Sequence, residues 1–267
     1  MFFTQLPFSQ ATRVEAGIGY TRYSSRTDVF NNYYDGFGRL VQQEKSKGPK
    51  LFPGFNLYNV QAAYVGDNSS FGLTSPLQGY RYRIGVDKYI GEFSYHTFLV
   101  DARKYFWFDK FNVSVRGIHY ARYGTDANNT FIGAIYSIDP TLVRGYNNFS
   151  LDELNNVYGL SLEQIQGSKL LVGNLEFRLP FTGPERLALI KSGLLFTDLS
   201  AFLDVGMTWR DNDQFGEGGD VEPKPVASTG LSLRVNLFGA FIIEPYYAKP
   251  LRSEAPWVFG INFVPGW

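Results

Sequence analysis

Two histidines, His96 and His119, are the only histidines in the chain, and there is no cysteine. Acid-base or nucleophilic catalysis needs such a group beside a nucleophile or a carboxylate pair. Both histidines fall on the apolar side of alternating segments, His96 beside Phe98 and Val100, His119 between Gly117 and Ala121. That placement reads as interface or packing. No HExxH helix and no phosphate-binding glycine loop occurs. The segment Gly216 to Asp220, GEGGD, offers carboxylates but lacks EF-hand spacing and reads as a flexible polar loop. These residues point to no catalytic constellation, no cofactor and no metal site, so the expectation is a protein that is not an enzyme.

The chemistry that remains is electrostatic. In Thr141 to Ser150, TLVRGYNNFS, Arg144 stands among small and apolar neighbours, with Gly145 able to adopt a backbone conformation that other residues resist. The segment lies inside the long connection from Thr125 to Lys169, and such loops are usually functional or disordered. One reading is a surface turn with a solvated arginine. The sharper one folds the loop back so that Arg144 meets the carboxylates of Glu176 and Asp204, a guanidinium clamp in a partly dry interior.

Those carboxylates need strands to present them. Side chains alternate with a period of two along most of the chain: Leu175, Phe177 and Leu179 oppose Asn174, Glu176 and Arg178, while Leu203, Val205 and Met207 oppose Asp204, Gly206 and Thr208. Eight further segments behave alike, at Val14 to Thr21, Tyr58 to Tyr64, Tyr80 to Asp87, Thr97 to Arg103, Asn112 to Arg116, Leu231 to Leu237, Phe241 to Lys249 and Trp257 to Phe263. The expected architecture is all-β and antiparallel, with about ten strands.

Composition narrows the setting. Of 267 residues, 19% are charged and 17% aromatic, with Lys plus Arg equal to Asp plus Glu at 25 each. Neutral balance argues against nucleic-acid binding, and the aromatics argue against disorder. The longest apolar run, Leu237 to Ile243, is too short for a spanning helix. Met1 to Gln10 shows no secretory signal, so the chain reads as cytoplasmic or as a mature or truncated piece of an exported protein. Alternation alone fits a soluble sandwich or an outer-membrane barrel. Three features favour the barrel: strands long enough to cross tilted, aromatics at strand ends such as Tyr23, Trp107 and Trp209, and short connections alternating with long ones at Ser24 to Gly54 and Thr125 to Lys169.

The order of segments resembles the BamA-like outer-membrane assembly factors, the bacterial surface antigen family. VRGY at Val143 to Tyr146 is similar to the signature of that family's sixth outer loop. GNLEFRLPF, AFLDVGMTW, GLSLRVNLFG, AFIIEPYYAKPL and WVFGINFVPGW follow it as the family's last five strands, and SPLQGYRYRIGV resembles a periplasmic turn entering a strand. The resemblance covers about residues 75 to 267. It implies that the loop arginine is Arg144, followed by Gly145, and that its partners are Glu176, Phe202 and Asp204, with Phe202 stacking on the guanidinium. It further implies that Phe259, Ile261, Phe263 and Trp267 form a C-terminal assembly signal.

Family barrels have sixteen strands and periplasmic modules, so ten strands imply a C-terminal fragment, a shortened barrel or one completed by another chain. Residues 1–267 read as one barrel domain in the outer membrane of a Gram-negative bacterium. The implied function is assembly, insertion or translocation of outer-membrane proteins, with outer-membrane lipid, the assembly machinery and unfolded barrel substrates as partners. The alternative is a passive anchor or pore for a missing propeller-like or protease-like N-terminal domain.

Overall fold

The computed structural model describes residues 1–146, 151–210, 221–239, 241–252 and 254–264. Eleven strands form one antiparallel meander: β1 (Phe2–Pro7), β2 (Thr12–Tyr23), β3 (Phe55–Asp67), β4 (Pro76–Gly91), β5 (Tyr95–Phe108), β6 (Phe111–Tyr123), β7 (Lys169–Gly183), β8 (Phe196–Trp209), β9 (Val226–Leu237), β10 (Phe241–Pro250) and β11 (Val258–Val264). Each pairs with its neighbours in sequence, and among the described residues β1 and β11 are not paired to each other, so the sheet is not closed. Strands β2 to β10 are 10 to 16 residues long, enough to cross a bilayer when tilted.

Which face is buried separates a membrane barrel from a sandwich. Here the polarity is inverted. On β7, Phe177 is 52% exposed while Glu176 and Arg178 are 0% and 1% exposed; on β9, Leu231 is exposed and Arg234 buried. Apolar side chains face outward and charged ones inward, as in a barrel whose outer wall meets lipid. No helix among the described residues is long and apolar enough to cross a membrane.

Two elements escaped the alternation pattern. Phe2–Pro7 is exposed throughout and has no polar face, yet it pairs with β2 from Phe2 opposite Ile18 to Pro7 opposite Arg13. Within the long polar connection after β2, Asp28–Tyr34 pairs with Leu40–Lys47 as a projecting hairpin. Both hairpin strands are solvated on both sides, so no face-selective pattern exists to be read.

Connections pack against the inner wall from both ends. At the end with the shorter connections, the turn between β3 and β4 tucks under the wall and buries Thr74 and Ser75. Both hydroxyls donate to the Asp198 carboxylate on β8, Ser75 Oγ at 2.7 Å. Asn236 Nδ2 on β9 donates to the Leu73 carbonyl at 2.6 Å. These bonds tie β3–β4 to strands far away in sequence. Asp198→Ala is expected to leave two buried hydroxyls without their charged acceptor, costing about 1–3 kcal/mol. Urea unfolding in detergent checks this, and an unchanged midpoint would mean the turn braces nothing.

Candidate functional site

The connection between β6 and β7 enters the interior because it carries its own apolar core. Val143, Tyr146, Leu154, Tyr158, Leu160 and Ile165 pack on Ile118, Leu170, Val172 and Val226 of the wall. Those wall residues occupy inward positions, where the charged pattern gives way to an apolar patch near one strand end. Burying each large aliphatic side chain contributes roughly 1.5–3 kcal/mol, enough to offset ordering of the loop.

Two glycines set how deeply the loop sits. Gly145 has φ +91, in the left-handed region, and a Cβ there would lie 3.0 Å from the Ala248 Cβ. Gly206 on β8 leaves room for Val143, whose Cγ2 would lie 2.7 Å from an added Cβ. The loop is further held by Asn174 Nδ2 donating to the Leu142 carbonyl at 2.8 Å and by the Tyr146 hydroxyl donating to the Ala227 carbonyl at 2.9 Å. Burial pushes the Tyr146 pKa up.

Arg144 thereby reaches the level of Glu176, the midpoint of β7. Its Nε donates to Asp204 Oδ2 at 2.7 Å and its Nη2 to Asp204 Oδ1 at 2.9 Å, the bidentate fork of an arginine on a carboxylate. The Arg144 backbone N–H also donates to Asp204 Oδ2, at 3.2 Å. Nη2 lies 2.7 Å from Glu176 Oε1, and Nη1 donates to Glu244 Oε1 at 2.9 Å. The guanidinium carbon sits 3.6 Å from the centre of the Phe202 ring, a cation over an aromatic face.

Two further arginines complete the group. Arg178 Nε donates to Glu176 Oε2 at 2.6 Å, and Arg234 Nη2 to the same oxygen at 2.9 Å. Asn174 Nδ2 donates to Asp204 Oδ1, and Ser232 Oγ to Glu244 Oε1. Three guanidiniums and three carboxylates thus share one buried site and balance in formal charge. Burial opposes the charge on Arg144, but Glu176, Asp204 and Glu244 outweigh it and raise its pKa above the ordinary arginine value.

Of the residues singled out from sequence, Arg144, Gly145, Glu176, Phe202 and Asp204 are brought together here. Glu244 was not among them, although it is the only acid in its strand and its alternation with Ile243 and Pro245 places it inward. Arg178 and Arg234 stood on the polar faces without being recognised as partners. Phe259, Ile261 and Phe263 lie far from this site on the outward face of β11, all exposed. Trp267 and the GEGGD segment lie outside the described residues. His119 stacks near Trp209 with its Nδ1 3.2 Å from the Leu170 carbonyl, and His96 stacks on Tyr123.

An outward apolar wall, an inward charged lining and a long loop returning to the lumen define an outer-membrane β-barrel. The Omp85 superfamily domain matches residues 2–263, and the chain belongs to that superfamily. The match begins well before residue 75, so the first strands belong to the same domain pattern. Among individually curated proteins, none matches significantly. The superfamily is associated with the outer membrane of Gram-negative bacteria and with protein assembly and translocation there.

Removing one member of a buried ion pair typically costs about 3–5 kcal/mol, because the other charge is left unpaired. Arg144→Ala and Asp204→Ala are each expected to destabilise the barrel by about that much, with the double variant losing far less than the sum. Urea titrations of the three variants measure the coupling; additive losses would mean that the two side chains share no interaction. Arg144→Lys should rescue little, since an ammonium cannot span the fork.

Proposed function

We propose that this chain is a barrel of the BamA type, which assists insertion or translocation of other proteins at the outer membrane. The observation carrying the reading is a wall whose first and last described strands are not paired to each other, with an ion cluster bracing the strands near the last one. Strands β1 and β11 each pair on one side among the described residues, while Arg144 binds β7, β8 and β10 through Glu176, Asp204 and Glu244. On this reading Arg144, Gly145, Glu176, Phe202 and Asp204 act as a loop clamp that keeps the wall from collapsing onto its free edge.

An unpaired strand edge is a template for another strand. An incoming unfolded barrel substrate would add to it through backbone hydrogen bonds, which suit many sequences because they do not depend on side chains. The outward Phe259, Ile261 and Phe263, with Trp267, serve as the signal by which assembly machinery receives this chain. Lipid covers the rest of the outer wall.

The loop and turn packed against the inner wall favour a second reading, a passive anchor whose wall only carries another domain. Single cysteines discriminate the two, because the chain has none of its own. With Ile261→Cys on the free edge strand, a substrate barrel carrying a cysteine in its terminal strand should cross-link at least tenfold more than with Leu231→Cys on the interior strand β9. Liposomes holding the protein should also assemble that substrate faster than empty ones. Equal cross-linking and no acceleration would leave the anchor.

A further inference from the structure

The connection that carries Arg144 also roofs a separate cavity of about 290 Å³ at the long-loop end of the wall. Arg122 of β6, Asn128, Gln166, Ser168 and Arg210 are among the residues lining it, and none of the described lining residues is acidic. Nothing in the lumenal ion cluster involves these groups.

Arg122 is the informative member. It is 9% exposed, and burying a guanidinium without a carboxylate is unfavourable unless something else satisfies it. Two of its donors are used: Nη1 donates to the Gly133 carbonyl at 2.6 Å and Nε to the Tyr120 hydroxyl at 3.4 Å. Both bonds hold the guanidinium plane in place, while Nη2 donates to no protein atom among the described residues. Ser168 is 2% exposed, and its hydroxyl likewise makes no hydrogen bond among the described residues. A fixed cation, amide side chains and a buried hydroxyl without a partner converge on one small space.

We infer that this cavity is a binding site for a phosphorylated sugar unit. A phosphate accepts the free edge of a guanidinium and neutralises its charge. The amides of Asn128 and Gln166 can both donate and accept, as sugar hydroxyls require. The volume is at the small end of ligand pockets and suits a single ring. Two sources present this chemistry at the long-loop end, which faces outward in outer-membrane barrels: a soluble sugar phosphate and the phosphorylated headgroup of an outer-leaflet glycolipid.

The test is calorimetric titration of the folded protein in lipid nanodiscs, with glucose 6-phosphate and glucose as probes. Glucose 6-phosphate is expected to bind at least tenfold more tightly than glucose. Arg122→Gln should abolish that preference, and Asn128→Asp, at an exposed position where folding is not at stake, should weaken glucose 6-phosphate binding about tenfold by placing a carboxylate at the site. Adding a phosphorylated glycolipid to the nanodiscs separates the sources: competition with glucose 6-phosphate identifies the headgroup as ligand, and unchanged affinity identifies the soluble sugar. Equal binding of the two probes, or wild-type affinity in Asn128→Asp, would overturn the proposal.

Discussion

A guanidinium taken out of water keeps its charge without penalty only if other groups replace the solvent around it. Arg144 meets that condition with three carboxylates and an aromatic face, each supplied by a different inward position on β7, β8 or β10. The same requirement then applies to the carboxylates, and Arg178 and Arg234 meet it for Glu176. Each member touches at least one group of opposite charge, so removing one disturbs the balance of the rest. The position of the loop, the relative heights of three strands and the inward register of their polar faces are therefore set together. A one-residue slip of β8 would carry Asp204 to the lipid side and Leu203 inward.

Around that centre the inward side of β7 to β10 is packed, while the inward Arg13, Arg81 and Arg83 on β2 and β4 stay partly exposed. The loop core packs on the wall at one end, and the turn bound to Asp198 and Asn236 braces the other. Strand β10, which pairs with β11, is thereby tied to β7 and β8. The Arg122 cavity lies in the same loop, so occupancy there would act on an element already tied to the wall.

Much of this was legible in the residues because alternation is a local property. Leu175 to Leu179 and Leu203 to Thr208 declare their faces over a few positions; parity puts Glu176 and Asp204 on the polar faces of their strands, and the barrel reading turns those faces inward. Glu244 was missed for want of contrast: its strand reads Phe-Ile-Ile-Glu-Pro-Tyr-Tyr, apolar on nearly every position, so one acid looked incidental. Leu170 and Val172 carry a related lesson. Their strand is apolar on both faces at its start because the inward side meets the loop core instead of charge, a pattern that marks burial on two sides. The hairpin at Asp28–Tyr34 and Leu40–Lys47 left no trace because neither of its faces is buried. Which carboxylate faces which arginine depends on strand heights, and local pattern does not encode those.

The central claim is that the Arg144 segment is as firmly held as the wall it touches. Amide hydrogen exchange of the protein in lipid tests this most directly, read at residues 143–146 against the exposed turn at Asp35 to Gly38 and the mid-strand amides of β7 and β8. The account predicts that the Arg144 and Gly145 amides exchange as slowly as those of the strands. Exchange as fast as at the exposed turn would contradict it, since a loop that opens freely cannot be clamping anything.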